Sequence, residues 1–143
     1  MAHPLAILPP MVDDLARTED ELLRVVLAEG DFLTEIASHL IKAGGKRVRP
    51  GFAMASAAVL DPAGSPATID VIRGGCAVEL VHIGSLYHDD VMDGATTRRS
   101  VKSVNAEWGN LRAILAGDYL LGRASELASD LGTEVAGLLA TTI

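Results

Sequence analysis

Residues 80–100 read LVHIGSLYHDDVMDGATTRRS, an apolar stretch that ends in three aspartates and two arginines. His82, Leu86, Asp89 and Asp93 are separated by four, three and four residues, so an α-helix would place them on one stripe. Asp89 and Asp93 then project side by side near the C-terminal end of that helix, where the helix dipole disfavours negative charge. A cation between the two carboxylates would relieve both costs.

Mg²⁺ suits such a pair, because it takes one or two protein carboxylates and completes its shell with water and phosphate oxygens. The alternative is a solvated acidic helix end, and a short motif alone does not decide between them. Arg98 and Arg99 follow across a short turn, so they can fold back toward the aspartates. They could also form only a surface salt bridge, which is worth little.

A second cationic cluster favours the ligand-binding interpretation. The stretch AGGKRVRPG (43–51) carries Lys46, Arg47 and Arg49, with no acidic partner nearby in the sequence. Gly44 and Gly45 allow the backbone to approach a ligand closely, and the basic side chains can grip phosphate oxygens. One acidic pair and two cationic clusters indicate a site for two phosphorylated substrates.

The rest of the chain predicts an all-α fold. Apolar residues recur at helical spacing along most of its length, for example at Leu15, Leu22, Val26, Phe32, Ile36, Leu40, Val71, Val78 and Val81. We expect six or seven helices, with breaks at 43–51 and 93–100. One helix is expected to close at 61–64, and the next to begin near Thr68.

Composition narrows the function classes. A chain of 143 residues holds one domain, and its net charge of −7 argues against a nucleic-acid surface. The longest apolar stretch, Phe52 to Leu60, is about half the ~20 residues that a membrane span requires. No secretory signal is recognisable. The single cysteine, Cys76, is expected to be a buried apolar residue in a reducing compartment, so we expect a soluble, cytoplasmic protein.

Four motifs stand in the order and spacing of one family: GGKRVRP (44–50), HDDVMD (88–93), TTRRS (96–100) and NAEWGNLRAILAGDYLL (105–121). From about Leu40 to Leu121 the chain resembles the trans-polyprenyl diphosphate synthases. The resemblance implies an isoprenoid synthase-type helical bundle with a central cavity. It also implies a Mg²⁺-dependent transfer between an allylic diphosphate and isopentenyl diphosphate.

The resemblance also implies roles for individual residues. Asp89 and Asp93, supported by Asp90, would bind Mg²⁺ on the allylic diphosphate, and Arg98 would contact the same diphosphate. Isopentenyl diphosphate would be held by Lys46, Arg49, His82 and Arg99. Taken alone, His82 would be read as a satisfied core histidine, but its place on the Asp89 stripe favours a ligand-binding role.

Product length follows from the residues one turn below the acidic pair. In the family, bulky aromatic side chains near the positions of Gly84 and Ser85 resemble a floor that stops chain growth. Both residues are small here, so we expect a product of geranylgeranyl length or longer. The alternative is that small residues only allow close helix packing.

The chain also departs from the family pattern. Ser100 and Lys102 stand where a Gly and a nearby Pro are usual, and the second aspartate-rich motif expected downstream is absent. Residues 1–143 are therefore expected to be the N-terminal portion of one synthase domain, inactive alone and joined to a C-terminal half or a second copy. A subunit of a split enzyme and a non-catalytic regulatory subunit stay open.

Two further classes fit the sequence less well. A terpene cyclase would need aromatic faces, and aromatic residues make up 3% of the chain. A purely structural helical protein leaves the cationic clusters at the glycine breaks unexplained.

Overall fold

The computed structural model describes residues 9–61 and 63–143. These residues form seven α-helices: α1 (Met11–Val25), α2 (Asp31–Lys42), α3 (Val48–Ala58), α4 (Ile69–Met92), α5 (Val104–Trp108), α6 (Asn110–Asp130) and α7 (Thr133–Thr142). A short antiparallel hairpin, β1 (Thr97–Arg98) and β2 (Val101–Lys102), lies between α4 and α5. The predicted all-α fold is confirmed, with this hairpin as an addition that the sequence pattern did not predict.

Helix α4 is the central element and packs against α1, α3 and α6. It begins where the sequence indicates, because the Thr68 hydroxyl accepts a hydrogen bond from the Val71 amide at 3.3 Å and caps the helix. One face of α4 is fully buried and carries Ile72, Cys76, Leu80, Ile83 and Tyr87. The Tyr87 hydroxyl donates to the Ile36 carbonyl at 2.7 Å, which ties α4 to α2. Cys76 lies in this core, as predicted.

Glycines allow the closest helix contacts. A Cβ on Gly84 would lie 3.1 Å from the Gly117 carbonyl of α6, and a Cβ on Gly75 would lie 3.0 Å from Pro50 Cα of α3. Side chains at these positions would hold the helices apart. Close packing of α3 and α6 on α4 therefore depends on both glycines.

The first predicted break is shorter than expected. Helix α2 ends at Lys42 and α3 begins at Val48, so the break spans 43–47 and the last four residues of the predicted segment are helical. Pro50 does not prevent this, because it lies in the first turn, where no helical amide partner is needed. Arg47 precedes the helix with φ 42°, in the left-handed region.

The second predicted break is confirmed but extends to Ser103; it contains β1 and the hairpin turn, and β2 follows just beyond the predicted segment. Its two turn residues, Arg99 and Ser100, have φ of 51° and 64°. Two consecutive left-handed residues form the turn that suits a two-residue hairpin, a turn that normally favours Asn and Gly. Ser100 therefore takes a left-handed conformation where the family pattern has Gly.

The open face of the bundle is partly apolar. Val78 on α4, Ile114 and Leu115 on α6, and Leu138 on α7 are all exposed. An apolar cavity of about 310 Å³ lies between these three helices, and α4 contributes Val78 and Val81 to its wall. Among the described residues, no helix is long and apolar enough to cross a membrane.

We expect Gly75→Ala to destabilise the protein by about 1–3 kcal/mol, because the new methyl group meets the backbone of Pro50. Gly122→Ala is the matched control: Gly122 lies in α6, and a Cβ there would have nothing within 4 Å, so the same change should stabilise by up to ~1 kcal/mol. Urea unfolding of both variants measures the difference. Equal stability of the two variants would contradict the proposed close contact.

Candidate functional site

A cationic cavity of about 340 Å³ opens between the break at 43–47, the start of α3, helix α4 and the hairpin turn. The four residues predicted to hold isopentenyl diphosphate, Lys46, Arg49, His82 and Arg99, all line it. They come from three parts of the chain that are distant in sequence, since Lys46 and Arg49 are close neighbours. The structure thus brings this predicted group together around one space of small-ligand size.

Arg99 is fixed at the cavity wall by backbone carbonyls. Its Nη1 donates to the Leu40 carbonyl at 3.0 Å and to the Gly44 carbonyl at 2.6 Å. Burial, and then the nearby Arg47, lowers the pKa of Arg99. A Cβ on Gly45 would lie 3.1 Å from a guanidinium nitrogen of each arginine. Gly45 therefore makes room for the two arginines.

Arg47 is buried and does not lie free in the cavity. Its Nε and Nη2 donate to the two carboxylate oxygens of Glu19 at 2.6 and 2.8 Å, and its Nη1 donates to Glu79 at 3.1 Å. Arg47 has no acidic partner nearby in the sequence, but the fold brings Glu19 on α1 and Glu79 on α4 to it. Arg47 holds these elements together.

Sequence reasoning missed Glu79. Glu79 is 2% exposed, and it lines the cavity among basic groups. Its Oε1 accepts from Arg47 and lies 3.7 Å from Arg99 Nη2, whereas its Oε2 is buried without a hydrogen-bond partner among the described residues. A carboxylate inside the apolar run CAVELV (76–81), one turn before His82, was the available signal.

His82 is half-buried at the cavity. Burial is the main cause that lowers its pKa, and the positive charge of Arg49 adds to the effect. The imidazole is therefore held in its neutral form more strongly than a free histidine. An anion in the cavity would oppose this effect.

Asp89 and Asp93 lie one turn apart at the end of α4, as predicted. The Asp93 amide donates to the Asp89 carbonyl at 2.8 Å. In the part of the chain that the structure describes, neither carboxylate takes part in a hydrogen bond or ion pair, so four oxygens are open to a cation. The described residues place no third acidic, histidine or cysteine side chain close enough to complete a metal site. This donor set fits Mg²⁺, whose other ligands are water and phosphate oxygens.

Asp90, which was predicted to support the metal site, is buried and binds Arg98. It is fully buried, and its Oδ1 accepts from Arg98 Nε at 2.8 Å and Nη2 at 2.5 Å. This hydrogen bond raises the pKa of Arg98. The negative charges of Asp89 and Asp93 raise it further from a longer distance. Asp90 Oδ1 therefore holds Arg98 beside the acidic pair, whereas Oδ2 is buried without a hydrogen-bond partner among the described residues. The supporting role of Asp90 at a metal stays a prediction.

Asn105 fixes the turn that carries Arg98. Its side-chain amide donates to the carbonyls of Asp90 and Ala95 at 3.0 and 2.9 Å. The Ala95 amide also donates to the Asp90 carbonyl at 2.9 Å. The hairpin is therefore anchored to the end of α4. Asn105, the first residue of the NAEWGN stretch, is a positioning residue that the sequence pattern did not indicate.

The two residues predicted for product length lie on different faces. Gly84 is buried against α6, where its small size allows close helix packing. Ser85 is exposed, and its hydroxyl donates to the His82 carbonyl at 2.8 Å. Ser85 shares the open side of α4 with Val81 and Val78, so the prediction about product length rests on Ser85 and these valines.

Fold and site together define an all-α protein in which a central helix carries a free aspartate pair beside a cationic cavity. Comparison with known proteins places this arrangement in a family. The polyprenyl synthetase family model matches residues 30–143, so the chain belongs to the polyprenyl synthetase family.

Three relatives illustrate the match. The nonaprenyl diphosphate synthase of Mycobacterium tuberculosis is 45% identical over 90% of this chain and 37% of its own length. Component 2 of the heptaprenyl diphosphate synthase of Geobacillus stearothermophilus is 42% identical over 92% of this chain and 40% of its own. A Caulobacter crescentus polyprenyl synthase, solved with calcium and isoprenyl diphosphate, superposes with a TM-score of 0.82 at 30% identity, covering 91% of this chain and 39% of its own. The chain thus spans about 37–40% of the length of these relatives.

We expect Asp90→Asn to destabilise the protein by about 2–3 kcal/mol. It leaves the Arg98 guanidinium without its charged partner, and the cost falls short of the ~3–5 kcal/mol of a fully buried pair because Arg98 is partly exposed. Glu126→Gln removes a carboxylate that is 65% exposed from its pair with Arg123, whereas Asp90 is fully buried, so Glu126→Gln should cost less than about 1 kcal/mol. Chemical unfolding of both variants provides the comparison, and similar losses would argue against the positioning role of Asp90.

Proposed function

We propose that this chain provides the substrate-binding N-terminal portion of a trans-prenyl diphosphate synthase. The complete enzyme would condense isopentenyl diphosphate with an allylic diphosphate in a Mg²⁺-dependent reaction. The observation that carries the proposal is the grouping of Lys46, Arg49, His82 and Arg99 around one cavity. Asp89 begins the acidic pair about two helical turns after His82 on the same helix. The family membership supports the same reaction class.

The two substrates would occupy neighbouring places. The cationic cavity would hold the diphosphate of isopentenyl diphosphate, whose charge matches the surrounding basic groups. Arg98, held by Asp90, would contact the allylic diphosphate beside Asp89 and Asp93. Magnesium held by these two aspartates would supply neutralising charge for the departing diphosphate.

The reaction would then follow from charge and exclusion of water. The allylic C–O bond breaks and its electron pair leaves with the diphosphate, while Arg98 stabilises the negative charge that develops. The C=C bond of isopentenyl diphosphate would attack the allylic cation, and the departed diphosphate anion would take a proton from the resulting cation, which restores a double bond in a product one isoprene unit longer. The apolar side of α4 and α6 would shield the cation from water.

The hydrocarbon would extend along the open side of α4. Ser85, Val81 and Val78 lie about 6, 12 and 16 Å from Asp89 along the helix axis, at ~1.5 Å per residue. The apolar cavity between α4, α6 and α7 continues this path. We propose that the small Ser85 lets the chain pass, so that the product is of geranylgeranyl length or longer.

The remaining parts of the site would come from outside these residues. We propose a second copy of the chain, or the C-terminal part of a synthase with the second aspartate-rich motif, as the partner. A cytoplasmic location fits the buried free thiol of Cys76. The resemblance to a protein named as component 2 of a heptaprenyl synthase supports a second candidate, a subunit of a heteromeric synthase.

Binding of geranyl diphosphate measured by calorimetry tests the acidic pair. We expect affinity to fall at least about tenfold when EDTA removes Mg²⁺, and by a similar factor in the double variant Asp89→Asn with Asp93→Asn. The control Asp20→Asn with Asp130→Asn removes two exposed carboxylates elsewhere and should retain Mg²⁺-dependent binding. An affinity that does not change with EDTA would contradict the assignment of Asp89 and Asp93 as Mg²⁺ ligands.

Product length can be tested by joining this chain to the C-terminal part of the Mycobacterium tuberculosis relative. We expect Ser85→Phe, Val81→Phe and Val78→Phe to shorten the product in graded fashion, with Ser85→Phe giving the shortest, because each phenylalanine blocks the path at a different depth. Chromatography of the dephosphorylated products measures chain length. A farnesyl product from the unsubstituted chimera, or products unchanged by all three substitutions, would refute the path along α4.

A further inference from the structure

The acidic residue inside the cationic cavity requires an explanation. Glu79 is buried, and its negative charge lies where an anionic ligand is proposed to bind, so it opposes binding by simple electrostatics. One of its oxygens has no hydrogen-bond partner among the described residues. A buried carboxylate in this condition costs free energy, which a role in the site could justify.

Neutralisation of Arg47 does not account for Glu79. Glu19 already forms two hydrogen bonds with Arg47, and the Ile41 carbonyl accepts a third at 2.9 Å. Glu79 adds one longer contact at 3.1 Å to an arginine that already has a carboxylate partner. The contact of Glu79 with its second basic neighbour, Arg99, therefore requires a separate explanation.

That neighbour is Arg99, which has two differently bound ends. Nη1 is fixed by the Leu40 and Gly44 carbonyls, whereas Nη2 lies 3.7 Å from Glu79 Oε1. Burial and Arg47 disfavour the charge on Arg99, and Glu79 favours it. The carboxylate thus stands between two guanidinium groups that would otherwise repel each other across the cavity wall.

We propose that Glu79 is a positioning residue of the cationic cavity, which orients the Arg99 guanidinium for binding a diphosphate group. The carboxylate screens Arg99 from Arg47 and holds Nη2 at the cavity wall while Nη1 is anchored to the backbone. This inference rests on the proposed function, since it assigns a diphosphate to the cavity. Glu79 would then strengthen diphosphate binding, although its own negative charge repels the diphosphate.

The sign provides the test. Inorganic diphosphate is titrated into the chain with EDTA present, so that Asp89 and Asp93 cannot contribute through Mg²⁺. Glu79→Gln keeps the shape and removes the charge, and we expect it to weaken binding about tenfold. Glu21→Gln is the matched control, because it removes a carboxylate that is 9% exposed and pairs with Arg24 and Arg73 away from the cavity; its affinity should be unchanged.

A double-mutant cycle separates positioning from a purely structural role. If Glu79 acts through Arg99, Glu79→Gln should produce no further loss of affinity in an Arg99→Gln background, although it still lowers stability through Arg47. Thermal unfolding of each variant records that stability effect independently. Should Glu79→Gln not fold, Glu79→Asp, which withdraws the carboxylate by one methylene, takes its place with the same expected loss.

The outcomes are distinct. Affinity of Glu79→Gln equal to or tighter than that of the unsubstituted chain would show that the carboxylate only opposes anions, and the inference would be overturned. An equal loss in the Arg99→Gln background would overturn it as well. If the unsubstituted chain binds no diphosphate in EDTA, the assignment of the cavity in the proposed function fails first.

Discussion

The ion network of Glu19, Arg47, Glu79 and Arg99 is the constraint on which the cavity depends. Arg47 precedes α3 in a left-handed conformation and is held by carboxylates from α1 and α4. The hairpin brings Arg99 close to one of these carboxylates, that of Glu79 on α4. Four separate elements therefore meet at two buried charges, and all of them except α1 contribute residues to the cavity wall. Because burial of one unpaired member would be costly, these elements are expected to assemble together.

Helix α4 serves two environments by dividing its faces. Its core face, with Leu80, Ile83 and Tyr87, is fully buried, and glycines on it bring the neighbouring helices close. Its other side carries Ser85 and the acidic pair toward open space. The rigid packing of the first face fixes the position of the second, which is how a helix end can hold two repelling carboxylates in place.

Local pattern predicted the elements, whereas long-range contacts decided the roles of individual charges. The helix start at Thr68 and the breaks near 43–51 and 93–100 follow from capping and turn chemistry, which neighbouring residues determine. The partners of Arg47 lie 28 and 32 residues away, and no spacing rule indicates them. The inward side of Asp90 and the packing of Gly84 against α6 also depend on which helix lies beside α4. The sequence therefore predicted residues that line one cavity but did not indicate Glu79 among them.

The two adjacent arginines show how the hairpin serves both parts of the site. Arg98 lies at the end of β1 and binds Asp90, beside the acidic pair. Arg99 is the first turn residue, and its left-handed conformation sends its side chain to Leu40, Gly44 and Glu79 instead. A left-handed non-glycine residue costs roughly 1 kcal/mol or more, and two occur here in succession. The contacts of Arg99 offset that cost, and the turn directs two neighbouring cations to different places, Arg98 to the acidic end of α4 and Arg99 to the cationic cavity.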